Sequence, residues 1–286
     1  MKHYFQNSLR ALFLSLSVFL SLPIMAVCVE IDGINYDLVE KTHEATVLYK
    51  SSGSYSGDIV IPESVEYEGN YPHEGTTYRV ISIGFNAFRG CSGLTSVTIP
   101  NSVAEIGIQA FDGCSGLTSV TIPNSVTSIE SYAFWGCPGL TSVIIPDNVT
   151  YLGERAFQSC PGLTSATIGN SVKRIEKYAF ADCRELLDVY CYADKAPYTG
   201  DNVFKNSYIG RAYLHVPAAS IENYKAKTPW NEFGKIVALT EEGTDIEKLK
   251  SENGTTESMF FDLNGRRVQK AQKGIYIQNR KKVLVK

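Results

Sequence analysis

The sequence predicts a mainly β repeat solenoid. It would be a right-handed coil of short parallel strands, with a β-hairpin cap at the N-terminal end, a helical and loop cap at the other, and a small separate β tail. Three observations carry that prediction. Phe88, Phe111, Phe134, Phe157 and Phe180, each after an Ala, recur in step with Cys91, Cys114, Cys137, Cys160 and Cys183, both series stepping by 23 residues. Leu94, Leu117, Leu140, Leu163 and Leu186 follow in the same phase. Composition agrees: 286 residues with 44% hydrophobic and 11% aromatic side chains exclude a disordered chain, and 23 Gly without a triplet period exclude a collagen-like one.

The elements follow in chain order. Residues 1–26 read as a signal peptide: Lys2 and Arg10, an apolar core over Ala11–Leu22, then a break at Pro23 and a small residue at Ala26. A membrane anchor would need about 20 apolar residues, more than this run offers. Acylation at Cys28 is the other alternative, although Val27 stands where a small residue is expected. Residues 27–58 form the N-terminal cap, with strands over Glu30–Leu38 and Thr42–Tyr49 paired as a hairpin. Ile59-Val60-Ile61-Pro62 is a first strand with its stop, and residues 66–79 are an insertion folded as a hairpin.

The regular repeats occupy residues 87–191 of a solenoid spanning 59–217. In the unit Leu94-x-x-Val97-x-Ile99, apolar positions alternate with Ser96 and Thr98, the pattern of a half-buried strand. Pro100 cannot donate to a ladder and ends it. Val103, Ile106, Ala87, Phe88 and Cys91 turn inward as well, too few positions for one repeat to close a core without its neighbours. Leu214-His215-Val216-Pro217 supplies a last strand, so that Val60, Thr98, Thr121, Ile144, Thr167, Tyr190 and His215 mark seven rungs of one parallel sheet. Residues 218–240 cap it, with a short helix over Ser220–Lys227, Ser220 as its N-cap, and Trp230, Phe233, Ile236 and Val237 as the cover.

Beyond the cap, residues 241–258 read as an acidic linker. Residues 259–286 form a basic β segment with eight Lys and Arg after Asp262 and turn signals at Asn264-Gly265 and Asn279-Arg280. Removing Lys2 and Arg10 takes the net charge from −3 to −5, and removing the eight tail cations takes it to −13. A nucleic-acid partner therefore has no support in the whole-chain charge.

Two resemblances follow from these residues. The run FFDLNGRRV…KGIYIQNRKKVLVK resembles the C-terminal sorting signal of type IX secretion cargo in Gram-negative Bacteroidetes, departing from it in its Asn-Arg turn and its shortness. The 23-residue unit, the Ile59–Pro62 lead-in and the segment LLDVYCYADKAPYTG…PWNEFGKIVAL resemble the BspA-like leucine-rich repeat proteins. The second resemblance implies a secreted or surface protein, some members of that family being implicated in adhesion to host matrix proteins and to other bacteria. The expected function is a binding protein without catalysis or cofactor, its partner a host-matrix or bacterial-surface protein or a glycan, held at the outer surface rather than spanning a membrane. The alternatives are a structural envelope or surface-coat protein with no specific ligand and, third, an accessory to glycan processing.

Few residues offer other chemistry. Five of the seven Cys share one inward position and Cys191 faces inward too, so buried thiols are expected. Adjacent rungs would bring their Cα atoms to about 5 Å, so pairing stays open. No C-x-x-C motif, phosphate loop or nucleophile elbow occurs. His43, His73 and His215 sit in separate segments and offer no metal site. The candidate binding residues are the outward strand positions Ser96, Thr98, Ser119, Thr121, Ser142, Ile144, Ser165, Thr167, Asp188 and Tyr190, with Tyr192 beside them. This row grows more apolar and aromatic along the chain, and aromatics on such a face anchor partners. Ser and Thr also suit any solvated strand face. Trp135 takes a polar repeat position and is expected exposed on another side.

Overall fold

The computed structural model describes residues 26–50, 53–68 and 75–239, together with the backbone of four strands between Phe260 and Val285. The expected signal peptide, apart from Ala26, and the expected acidic linker lie outside the described residues.

The chain begins with a three-stranded antiparallel meander, β1 (Ala26–Ile31), β2 (Ile34–Val39) and β3 (Glu44–Leu48). This corrects the two-stranded cap. Asp32 and Gly33 both take positive φ, 49° and 80°, and fold Glu30–Leu38 back on itself. An Asp-Gly pair between apolar runs is the signal for that turn. Next come β4 (Gly57–Val60), β5 (Ser64–Tyr67) and β6 (Thr76–Ile83), with β5 and β6 antiparallel as the expected insertion hairpin. The hairpin tip, including His73, lies outside the described residues.

Each repeat then contributes one long and one short strand. In chain order these are β7 (Leu94–Thr98), β8 (Glu105–Ile106), β9 (Ser119–Thr121), β10 (Ser128–Ile129), β11 (Ser142–Ile145), β12 (Tyr151–Leu152), β13 (Ser165–Ile168), β14 (Arg174–Ile175), β15 (Asp188–Cys191), β16 (Tyr198–Thr199) and β17 (Tyr213–Val216). The C-terminal cap holds helix α1 (Ile221–Lys225) and strand β18 (Lys235–Ala238). The tail strands are β19 (Phe260–Phe261), β20 (Arg267–Val268), β21 (Gly274–Gln278) and β22 (Lys281–Val285), in a sheet ordered β20-β19-β21-β22.

The long strands do not make one sheet of seven. They form β4-β7-β9 and, separately, β11-β13-β15-β17-β18, so the ladder is interrupted between Thr121 and Ser142. Thr118 N donates to Thr95 O at 3.1 Å and Thr164 N to Thr141 O at 2.9 Å, whereas the matching bond from Thr141 N to Thr118 O is missing. β18 adds a rung the sequence reading treated as cover, pairing Leu214 with Ile236 and His215 with Val237. The short strands make a second parallel ladder, β6-β8-β10-β12-β14-β16, which runs through without a break. The N-terminal meander joins it through the parallel β3–β6 pair, so the cap is an extension of that sheet.

Turns on a third side are hydrogen-bonded from rung to rung. Phe88, Phe111, Phe134 and Phe157 donate their N–H to Ala110, Ala133, Ala156 and Ala179 at 2.7–2.8 Å. The turn needs a left-handed residue just before each Cys column position, and Gly90, Gly113 and Gly136 supply it with φ of 65–71°. Ser159 and Asp182 adopt the same conformation at φ 59°. The glycine of the P-G-L run is required differently: a Cβ on Gly162 would lie 2.4 Å from Pro138 O of the preceding rung.

The core lies between these three walls. The Leu, Cys and Phe columns are buried throughout, and consecutive Phe rings stack nearly parallel at 4.9–5.4 Å. The repeat runs one turn further than the 23-residue count reaches. Phe204 stacks on Phe180 at 5.7 Å, and Ser207 occupies the Cys position. A 24-residue step hid both. Trp230, Tyr224 and Phe233 close the end, with Trp230 edge-on to Phe204 at 5.7 Å. Ser220 precedes α1 but makes no capping bond; its hydroxyl instead donates to Asp194 O at 2.7 Å, tying the cap to the last regular turn.

Candidate functional site

The outward residues of the long strands form two columns fixed by strand register. One runs Asp58, Ser96, Ser119 and, beyond the interruption, Ser142, Ser165, Asp188, Tyr213 and Lys235. The other runs Val60, Thr98, Thr121, then Ile144, Thr167, Tyr190, His215 and Val237. All ten expected strand residues therefore face outward, but the interruption separates the first four from the other six.

The two groups differ in chemistry. On the N-terminal side Asp58 Oδ1 accepts hydrogen bonds from Ser96 Oγ at 2.6 Å and Thr95 Oγ1 at 2.8 Å. Those hydroxyls, Ser96 first, hold its carboxyl below the usual carboxylate range. On the C-terminal side Ile144 is 57% exposed, Tyr213 41% and Tyr192 38%. Tyr190 and His215 stack at 4.2 Å, and Tyr213 lies 6.2 Å from the same imidazole. His215 Nε2 meets Asp188 Oδ1 at 2.9 Å, and Lys235 Nζ donates to the Tyr213 hydroxyl at 3.3 Å, 5.2 Å from its ring centre. Adjacent parallel strands force these side chains into contact, so the cluster is rigid before any partner arrives.

Tyr213, His215 and Lys235 are the members that sequence reasoning left out of the site. The step from Tyr190 to His215 is 25 residues, outside the 23-residue phase, and Lys235 belongs to a strand supplied by the cap. His215 was readable as a strand-face residue, but its pairing with Asp188 needs the register. Trp135 is exposed, as expected.

The thiols make a buried column. All seven Cys are free, Cys28 exposed and the other six buried. Burial pushes Cys114 and Cys160 up to about 12 and Cys137 and Cys183 well above the ordinary thiol value. Among the described residues no group of three His, Cys, Asp or Glu is placed to hold a metal, and no helix is long and apolar enough to cross a membrane. The arrangement offers stacking rings, a carboxylate, an imidazole and an ammonium on an open sheet face, the makings of a contact surface.

Residues 81–210 match six copies of the BspA type leucine-rich repeat region. The repeat region of the chain is of the BspA leucine-rich repeat type. The family match and the sixth stacked turn at Phe204 agree, since both carry the repeat past Cys183. No curated protein matches the chain. Among solved structures, a leucine-rich repeat protein from T. pallidum is 23% identical, covering 74% of this chain and 83% of its own, with a TM-score of 0.51. The pneumococcal vaccine antigen PcpA is 19% identical over 74% of this chain and 48% of its own, with a TM-score of 0.54. These likenesses show the fold: a mainly β solenoid of parallel strands with few helices.

Proposed function

We propose that this leucine-rich repeat protein is an exported, cell-surface binding protein that mediates adhesion to a host-matrix, bacterial or glycan partner without catalysis. The single observation that carries the reading is the outward cluster on β11–β18, where Ile144, Asp188, Tyr190, Tyr213, His215 and Lys235 share one rigid face. Tyr and charged groups fixed in a pre-organised array are the composition of a binding hot spot. The Ser and Thr rows on β7 and β9 would be a solvated flank. Export is supported by the apolar Ala11–Leu22 run and the basic tail, and proteins of this family are commonly surface-associated.

The test is binding of the full chain to immobilised host matrix proteins, to whole bacteria and to a glycan panel. The double variant Ile144→Ala plus Tyr190→Ala and the single variant Tyr213→Ala should each weaken binding by about tenfold or more while keeping the wild-type circular dichroism. Unchanged binding by both folded variants would remove this face from the account. Export is tested separately, by comparing the mass and location of the mature chain with those of a chain ending at Asp262; a truncated chain still displayed at the surface would rule the tail out as the sorting element.

A further inference from the structure

The two ends of the solenoid carry different charge. Residues 27–150 hold 4 Lys and Arg against 14 Asp and Glu, whereas residues 151–239 hold 11 against 9. On the short-strand sheet the cations gather at the last two rungs, on a different face from the cluster described above. Arg174 and Tyr198 are register partners on β14 and β16, and the guanidinium carbon stands 4.7 Å from the ring centre. Glu176 holds the Arg174 Nε and so fixes the guanidinium in place, while the Arg174 side chain stays half exposed. β16 is the last strand of its sheet, and Tyr198 is 59% exposed. One ring face is thus covered by Arg174 and the ring is otherwise open.

A groove of about 510 Å³ lies beside this pair, lined by Thr150, Asn170, Ser171, Lys173, Asp194 and Lys195 among others. Lys173 and Lys195 are exposed, and neither has an ion-pair partner among the described residues. Lys227 reaches the same corner from the cap, donating to Ala196 O at 3.1 Å. Two acids stand nearby: Glu176 is engaged by Arg174, and Asp194 lines the groove. The corner therefore presents four cations against two acids on a body whose other end is strongly acidic.

We propose that this corner is a second binding site, and that it takes an acidic polysaccharide. A pyranose ring would stack on Tyr198, and a carboxylate or sulfate on the sugar would be held by Lys173, Lys195 and the terminal nitrogens of Arg174. The cation–π contact and the ion pair to Glu176 pre-organise the arginine for bidentate recognition of such a group. Thr150, Asn170 and Ser171 offer hydroxyl and amide partners for sugar hydroxyls. Val172, Ala193, Ala196 and Pro197 also line the groove, so the choice of a sugar over a peptide rests on the exposed Tyr198 ring beside the cations.

The experiment uses the full chain, so that the basic tail contributes equally to every measurement. The probes are dextran sulfate, neutral dextran and polyglutamate. Dextran sulfate should bind in a salt-sensitive manner and neutral dextran should not. Lys173→Gln plus Lys195→Gln and, separately, Tyr198→Ala should each weaken dextran sulfate binding about tenfold. Lys248→Gln plus Lys250→Gln, an equal change of charge elsewhere, should leave it unaltered. Wild-type affinity in the Lys173/Lys195 variant would overturn the site. Tyr198→Ala without effect, together with equally tight polyglutamate binding, would overturn the sugar assignment in favour of an acidic peptide. Lys173, Lys195 and Tyr198 are exposed, and circular dichroism checks that each variant remains folded.

Discussion

Cys114, Cys137, Cys160 and Cys183 each donate a thiol hydrogen to the carbonyl of the Phe one rung before, at 3.0–3.2 Å. Ser207 makes the same bond to Phe180 O at 2.5 Å. The column therefore needs a small side chain with one donor, which explains why Ser can replace Cys at the final turn. Cys160→Val removes the donor and should cost about 1–3 kcal/mol through the unsatisfied Phe134 carbonyl. Cys160→Ser should cost less, and the urea midpoints of the two variants give the order. Burial also predicts reactivity: at pH 8 a thiol reagent should label Cys28 in the native chain and the other six only after unfolding. The pH dependence has a definite sign. These thiols hold their protons in the folded state up to about 12 for Cys114 and Cys160, while unfolded thiols lose them near their ordinary value of 9.0. Stability should be flat below about pH 8 and fall as pH rises from roughly 9 to 12, measured as a declining urea midpoint.

At the scale of the element, the Phe column and the interrupted ladder make opposite statements about rigidity. Phe134 is fully buried and stacked on Phe111 at 4.9 Å and on Phe157 at 5.0 Å. Phe134→Ala should cost about 3–5 kcal/mol, because two stacked neighbours cannot collapse into the space left behind. The long-strand sheet is weakest on the same level, between β9 and β11. Hydrogen exchange should find the Thr141 amide faster than those of Thr118 and Thr164, which sit at equivalent positions but are bonded to the rung before. Equal protection at all three would mean that the ladder closes in solution. The short-strand sheet and the turn column run through this level unbroken, so the opening is confined to one wall.

For the whole molecule, stability depends on ends as much as on repeats, since each rung touches only its neighbours. Trp230 is fully buried, donates its indole N–H to Pro197 O at 3.2 Å and packs against Phe204 and Tyr224. Trp230→Ala should cost about 3–5 kcal/mol and lower protection in β15 and β17 before it reaches β7. The opposite end is closed by the meander through β3 and β6, so a Tyr36→Ala change there should loosen the short-strand ladder first. The two proposed binding surfaces lie on the same axis: the aromatic cluster of the long strands and the cationic corner of the short strands are both at the C-terminal end, while the N-terminal end is acidic.

The sequence by itself determined the solenoid, the inward columns, the strand stops and the outward direction of all ten strand residues. A strict period makes every copy vote for the same side-chain direction, and alternation along a strand does the rest. Asp32-Gly33 was a legible turn as well, hidden only because the flanking residues read as one long strand. What lay outside the sequence were the relations between rungs out of phase. Tyr213, His215 and Lys235 join the outward face because parallel pairing aligns them with Asp188 and Tyr190 across steps that no longer equal 23. Likewise Ser220 reads as a helix cap from its neighbours in the chain, yet its hydroxyl is closer to Asp194 O, 26 residues away. The interruption between β9 and β11, the extra strand β18 and the Arg174–Tyr198 contact depend on how stacked turns settle against one another. Local pattern fixes which way a side chain points, whereas the neighbour it meets is set by packing between segments distant in sequence, and only the tertiary structure decides that.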